Sequence, residues 1–201
     1  VLGIVLGVVA SVTRNNGGDL IIRWFVALAQ ATPTFWLAFV LIWLIGVKAG
    51  WLPFVGRQEA TSFILPAIAI AAYPMAGVAR LTRSGMLEVL GQEYIFFARA
   101  KGLREHMVVL KHGLRNALLP VVTFSGIVLV SHFLIGSLIV EIVMSWPGVG
   151  FMAWRGMIES DYAVLQGLVV IFAAMFIFAN LLVDMSYAIL DPRIRRLAAR
   201  T

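Results

Sequence analysis

The stretch ARAKGLREHMVVLKHGLRNALLP, residues 98–120, sets a strongly basic segment between two long apolar ones. Its basic side chains are those of Arg99, Lys101, Arg104, Lys111 and Arg115. So many charges are very costly inside the hydrocarbon core of a bilayer, whereas the flanking residues suit that core. The stretch is therefore predicted to be a loop that separates membrane-spanning segments.

The composition of the whole chain indicates that lipid is its main solvent. Of its 201 residues, 61% are hydrophobic and 13% are charged, against about a quarter charged in soluble domains. The net charge of +6 comes from short basic clusters between apolar runs. That pattern is typical of membrane-protein loops and disfavours nucleic-acid binding. The absence of cysteine excludes disulfides, thiolate metal sites and cysteine nucleophiles.

Five apolar segments are predicted to be helices, at residues 1–12, 25–47, 63–81, 117–140 and 164–190. Crossing a core of about 30 Å takes about 20 helical residues. The last four segments are long enough, whereas the first rises only about 18 Å. We therefore expect an all-α, polytopic helix bundle of about five spans. We also expect residues 1–201 to form a single transmembrane domain whose first span is truncated and whose N-terminal part is missing.

Three prolines lie in or near these predicted spans, at positions 33, 74 and 120. Kinks there would release backbone carbonyls and let helices bend around a cavity. The alternative is that proline is simply more frequent in membrane helices than in soluble ones.

The Lys and Arg residues are divided unevenly between alternate loops. Thirteen of the sixteen lie at residues 14–23, at residues 80–115 or in the C-terminal tail, and the other three are Lys48, Arg57 and Arg155. Cytoplasmic loops carry the excess of Lys and Arg. We therefore expect the central loop, residues 84–116, and the C-terminus to lie in the cytoplasm.

Two short amphipathic helices are predicted in the central loop, joined at Gly102, which follows Lys101 as a C-capping glycine would. Apolar residues spaced by three and four define their faces, namely Leu87, Leu90, Tyr94 and Phe97, then Leu103, Met107, Leu110 and Leu114. The aromatic pair suits a hydrophobic groove on a partner, and the small residues near Gly102 suit close backbone approach. The alternative is a basic helix that rests on anionic lipid.

The central loop resembles a known family. The sequence EYIFFARAKGLREHMVVLKHGLRNALLPVVT, residues 93–123, is similar to the cytoplasmic loop of ABC importer permeases of the dipeptide, oligopeptide and nickel type. Similar motifs follow in order along nearly the whole chain: PTFWLAFVLIWL at 33–44, GWLP at 50–53, ARLTRSGMLEVLGQEY at 79–94, VEIVMSWPGVG at 140–150, DYAVLQG at 161–167 and NLLVDMSYAILDPRIR at 180–195.

This resemblance implies a multi-pass permease domain of the prokaryotic plasma (inner) membrane, with the first span here as the second of six. The implied partners are two ATPase subunits, a second homologous permease subunit, an external solute-binding protein, the lipid bilayer and a transported solute, with a peptide as the first candidate. ATP and Mg²⁺ would belong to the ATPase subunits, because this chain has no G-x-x-x-x-G-K-[ST] motif. No cofactor, catalytic residue, metal site or nucleic acid is expected for this chain.

In the family, the loop forms a coupling helix that enters a cleft on the ATPase subunit. Carried over to this sequence, the ATPase-coupling residues are Glu93, Tyr94, Phe97, Ala98, Arg99, Ala100, Lys101, Gly102 and Leu103. The possible pathway or gate residues are His132, Ser145, Trp146, Pro147 and Gly148. The alternative for His132 is a histidine that is hydrogen bonded to a neighbouring helix. The alternative for residues 145–148 is a plain connecting loop.

Two other functions fit an apolar chain. An ion-coupled secondary transporter would need carboxylates near the bilayer midplane or broken-helix repeats. The acids Glu141 and Asp184 instead lie near the ends of predicted spans, where we expect them to satisfy backbone or arginine groups. A membrane scaffold subunit without a pathway is the other alternative.

The predicted orientation can be tested by thiol labelling, because the chain contains no cysteine of its own. An Arg155→Cys variant should react with a membrane-impermeant reagent on intact cells. Arg104→Cys and Arg195→Cys variants should react only after the cells are permeabilised, because the charge distribution puts both positions inside. Labelling of position 104 but not of position 155 on intact cells would contradict this orientation.

Overall fold

The computed structural model describes the backbone of residues 1–190, with all side chains in that range except those at 119, 123, 127, 129–136, 183, 184 and 186–190. Residues 1–190 contain helices and no strand, which confirms the predicted all-α class. The helices are α1 Leu2–Val12, α2 Gly17–Ala31, α3 Thr34–Leu41, α4 Ile64–Leu90, α5 Glu93–Ala100, α6 Glu105–Met107, α7 Arg115–Val143, α8 Val149–Ile158 and α9 Tyr162–Leu190. Two π-helical segments, Ile42–Lys48 and Val108–Leu114, extend α3 and join α6 to α7.

Several helices have the length and composition of membrane spans. Within the described residues, Ile64–Leu90 and Tyr162–Leu182 are each long and apolar enough to cross a bilayer. The bent pair formed by α2 and the extended α3 adds a third span if it is counted as one. Helix α7 contains the predicted fourth span, and its 29 residues rise about 43 Å. The third, fourth and fifth predicted spans therefore each lie almost entirely inside a single helix.

The predicted second span, residues 25–47, is wrong as a single helix. Helices α2 and α3 are separated at residues 32 and 33, and their axes differ by 108°. Pro33 is extended, with φ −60° and ψ 139°, and it lacks the N–H that would continue α2. Pro74 and Pro120 lie inside α4 and α7, which continue through them. Of the three prolines, only Pro33 interrupts a helix.

Two predicted loop boundaries also need correction. Helix α2 begins at Gly17, so Arg23 belongs to a helix and not to a loop. Helix α4 runs nine residues past the predicted end of the third span, to Leu90. An α-helix can continue beyond an apolar run because its backbone hydrogen bonds do not depend on side-chain polarity. The first part of the predicted central loop is therefore the end of α4.

The chain forms two compact units. Within the described backbone, the first comprises residues 1–30, 74–126 and 183–190, and the second comprises residues 31–73 and 127–182. In the first unit, α1 packs closely on α4 at Gly3 and Gly7. A Cβ atom at Gly7 would lie 2.6 Å from the carbonyl oxygen of Ala79, too close for any side chain. The Gly-x-x-x-Gly spacing thus permits close helix packing.

The second unit has its own apolar core, where α3, α4 and α7 meet. Its buried residues are Ala38, Leu65, Ala69, Val140 and Met144. The segment after α3 closes this core, because Phe54 packs where a side chain at Gly46 would lie. The N–H of Gly56 donates to the carbonyl oxygen of Met144 at 2.8 Å. These contacts hold the end of α7, from which the predicted gate loop starts.

Candidate functional site

The predicted coupling residues lie on one helical hairpin, which we call the α5–α6 hairpin (residues 93–107). Gly102 has φ +75°, a conformation that glycine adopts at little cost. Its N–H donates to the carbonyl oxygen of Arg99 at 2.9 Å, and the N–H of Leu103 donates to that of Ala98 at 3.4 Å. These two bonds form a Schellman motif. The predicted joint at a left-handed Gly102 is confirmed. The predicted first helix is wrong as one helix, because Leu87 and Leu90 belong to α4 whereas Tyr94 and Phe97 belong to α5.

The inner face of the hairpin is apolar and covered. Ile95, Ala98 and Val108 form a buried cluster, against which Val89 and Leu90 at the end of α4 pack. Ala98 is only 9% exposed, so this chain already covers it. This burial corrects the expectation that Ala98 faces a partner. The small residue serves instead to bring α5 close to the π-helical segment.

A second cluster continues from the first towards α7. It consists of Met86, Val109 and Ala117, and Val89 and Leu90 pack against it as well. Because the same two side chains contact both clusters, apolar packing fixes the hairpin to the end of α4 and the start of α7.

The predicted apolar stripe of the second short helix is wrong. Val108, Val109 and Gly113 are buried there, whereas Leu103 and Leu110 are exposed. The π-helical segment causes the difference, because its i→i+5 hydrogen bonds turn successive side chains through a smaller angle than an α-helix does. A spacing of three and four therefore no longer selects one face.

The outer face of α5 carries exposed aromatic rings. Phe96 and Phe97 are 70% and 61% exposed, and Tyr94 is also exposed. The two phenylalanine rings meet edge to face, with centroids 6.3 Å apart. Sequence reasoning missed Phe96 because its position falls off the predicted stripe. The two consecutive phenylalanines could have predicted this exposure. Successive side chains on an α-helix point about 100° apart, so a single packed face rarely buries both rings.

Polar bonds brace the hairpin from both sides. The guanidinium of Arg99 donates to both carboxylate oxygens of Glu105 across the Gly102 turn, at 2.6 and 3.1 Å. The side-chain amide of Asn116 donates to the hydroxyl oxygen of Tyr94 at 3.1 Å and to the carbonyl oxygen of His112 at 2.9 Å. Glu105 and Asn116 were not predicted, since neither side chain lies at a helical spacing from the side chain that it contacts.

The stabilisation of the hairpin by the Arg99–Glu105 ion pair depends on pH. Hydrogen bonds from Arg99 lower the pKa of the Glu105 carboxyl and raise the pKa of Arg99 in turn. The stabilisation is therefore present above the usual glutamate pKa of about 4.3 and is lost as the pH falls through the lowered value. Both side chains are about half exposed, so the pair contributes at most about 1 kcal/mol.

The predicted gate residues Ser145, Trp146, Pro147 and Gly148 lie between α7 and α8, in the second unit. One carboxylate oxygen of Glu141 accepts the N–H of Phe151 at 3.0 Å, which caps the start of α8. A side chain at Gly148 would collide with that carboxylate. The prediction that Glu141 is a helix-end carboxylate is confirmed. Helix α8 itself was not predicted, because the glycines and the proline indicated only a turn.

Two other predicted positions, His132 and Asp184, have side chains that lie outside the described residues. Among the described side chains, no three His, Asp or Glu residues come together closely enough to hold a metal ion.

Comparison with known proteins places the chain in a family. Residues 3–196 match the model of the binding-protein-dependent transport system inner membrane component. The chain belongs to this family. It is 43% identical over 195 residues to the glutathione transport system permease protein of Pectobacterium atrosepticum, covering 97% of this chain and 63% of that protein. It is 40% identical over 203 residues to the oligopeptide transport system permease protein of Bacillus subtilis, covering 96% and 64%. The chain thus spans just under two thirds of each relative.

The cap at Gly102 can be tested by substitution. Gly102→Val should open the hairpin, because a non-glycine residue in the left-handed region costs about 1–2 kcal/mol and a β-branched one costs most. No atom lies within 4 Å of a Cβ at this position, so the effect should be conformational and not steric. Amide hydrogen exchange in residues 95–108 should become about 5- to 30-fold faster.

Gly102→Asn is the matched control, since asparagine tolerates the left-handed region better. It should exchange at close to the parental rate. Equal exchange rates in the two variants would contradict the cap.

Proposed function

We propose that this chain is a transmembrane permease subunit of an ATP-driven importer. It forms the solute pathway with a second, homologous permease subunit, and an external solute-binding protein delivers the solute. Family membership supports this proposal. The transport systems named for the relatives carry glutathione and oligopeptides, which supports peptides or related small solutes as the substrate class. The distribution of Lys and Arg supports a cytoplasmic hairpin and C-terminus.

The observation that carries the proposal is the two-faced hairpin. Its inner face is buried against α4 and the π-helical segment, whereas its outer face exposes Tyr94, Phe96 and Phe97. Large aromatic side chains that project together from a basic loop mark a binding surface. Aromatic anchors in a hydrophobic groove are also the usual source of binding energy when a helix docks. We assign this face to an ATPase subunit.

The other predicted coupling residues surround these anchors. Ala98 is withdrawn from the contact set because this chain covers it. The remaining members, Glu93, Arg99, Ala100, Lys101, Gly102 and Leu103, are all exposed. Charged and small residues around an aromatic centre suit the rim of an interface, which excludes water from the anchors and contributes less energy itself.

The packing of the hairpin supports a mechanical role. Moving a two-state population from 1:99 to 99:1 takes about 5.5 kcal/mol of differential binding. A loosely attached loop would move without displacing the transmembrane helices, so binding of the ATPase subunit would not change their conformation. Here Val89 and Leu90 join the hairpin to α4 and α7, so a force on α5 is transmitted to both helices. ATP and Mg²⁺ act in the ATPase subunits in this proposal.

The anchors can be tested in the complete transporter, with its ATPase and solute-binding subunits. A Phe96→Ser, Phe97→Ser double variant should insert normally, because both rings are exposed and support no core. It should lose glutathione- or peptide-stimulated ATP hydrolysis and uptake. Binding of the ATPase subunit should weaken about 30-fold or more, as is typical when hot-spot residues are lost.

Two controls separate this effect from general damage. Phe63→Ser removes an exposed aromatic ring from the second unit, and Lys111→Gln removes an exposed charge near the hairpin. Both should transport at close to the parental rate. Normal coupling in the double variant, together with inactivity in Lys111→Gln, would favour a hairpin that rests on lipid and would overturn the proposal.

A further inference from the structure

A separate cavity lies between α1, α2 and α4, within the first unit. Its volume is about 260 Å³. Half of its ten lining residues are apolar and come from all three helices, and the other half are Arg23, Gln30, Arg80, Arg83 and Ser84. Three guanidinium groups around one cavity between membrane helices are unusual, because each is costly near hydrocarbon unless it has a partner.

One of the three arginines already has its partner. Arg83 donates two hydrogen bonds to the carboxylate of Asp19, both at 2.8 Å. Asp19 is only 1% exposed, and it also accepts the backbone N–H of Asn15 at 3.3 Å. The hydrogen-bonding capacity of this carboxylate is therefore engaged in fixing α2 to α4. Its single negative charge balances one of the three positive charges.

The side chains of Arg23 and Arg80 make no ion pair or hydrogen bond with the residues that the structure describes. Both side chains are exposed and both line the cavity, one from α2 and the other from α4. With one charge balanced by Asp19, the cavity carries a local charge of about +2. Among the residues that the structure describes, no carboxylate lines the cavity itself, so an anionic ligand would balance the remaining charge.

We propose that this cavity binds the phosphodiester head group of an anionic phospholipid. Guanidinium groups bind phosphate oxygens in pairs of parallel hydrogen bonds and are the preferred side chains for this purpose. The cavity is smaller than the 300–1,000 Å³ or so that is typical for drug-sized ligands, which suits a head group and not a whole peptide. The amide of Gln30 offers a further donor on the same wall.

The surroundings of the cavity favour a lipid over a free anion. Helix α2 exposes Leu20, Ile21, Trp24, Phe25 and Leu28. Trp24 directly follows Arg23, and tryptophan concentrates where hydrocarbon meets head groups. Acyl chains can therefore lie along α2 while the phosphate enters the cavity. Basic pockets between transmembrane helices bind anionic lipid head groups in this way.

The test uses the complete transporter in nanodiscs of phosphatidylcholine that contain a small fraction of phosphatidylglycerol. Native mass spectrometry should detect phosphatidylglycerol bound to the parental protein. An Arg23→Gln, Arg80→Gln double variant should bind it about 25-fold more weakly, or about fivefold per charge removed. An Arg23→Lys, Arg80→Lys variant keeps the charge but loses the paired hydrogen bonds. It should therefore bind phosphatidylglycerol more weakly than the parent and more tightly than the double Gln variant.

Arg14→Gln and Arg104→Gln are matched controls, because each removes an exposed charge that does not line the cavity. Both should bind phosphatidylglycerol like the parent. A parallel experiment adds inorganic phosphate to the nanodiscs that contain phosphatidylglycerol. The proposal is overturned if the double Gln variant binds as tightly as these controls, or if inorganic phosphate competes with phosphatidylglycerol at equal concentration.

Discussion

The packing of Val89 and Leu90 at the end of α4 is the contact on which the candidate site depends. These two side chains touch the cluster around Ile95 on one side and the cluster around Met86 on the other. Both side chains are partly buried, so each contributes less than the roughly 1.5–3 kcal/mol of a fully buried aliphatic side chain. They hold the hairpin so that its inner face is closed and its aromatic face remains free. Without the contacts of Val89 and Leu90, the orientation of the aromatic rings of α5 would not be fixed.

Much of the fold could be predicted from the sequence, because apolar length is a strong signal in membrane proteins. The helical class and the third to fifth spans follow from it. The break at Pro33 could be located, but not its size, because a proline permits anything from a mild kink to a full interruption. Pro74 and Pro120 show the milder outcome. Tertiary contacts decide between the two, and a single sequence does not contain them in readable form.

The candidate site could be predicted in part. Glycine in a left-handed cap is a local property, so Gly102 was found from its neighbours alone. The buried face of residues 108–114 was missed, because the π-helical segment changes the period on which the stripe depends. The Arg99–Glu105 bond was also missed, since it spans a turn whose geometry has to be known first. Likewise, the exposure of Phe96 follows from the way α5 packs and not from its own spacing.

The measurement that tests the docking of the hairpin most directly is site-specific photocrosslinking in the complete transporter. A photoreactive phenylalanine analogue would replace Phe97 in one variant and Phe63 in another, both of which are exposed aromatic positions. We predict that position 97 forms an adduct with the ATPase subunit and that position 63 does not. Adducts of position 97 with lipid alone, in a transporter that still hydrolyses ATP in response to solute, would contradict this docking.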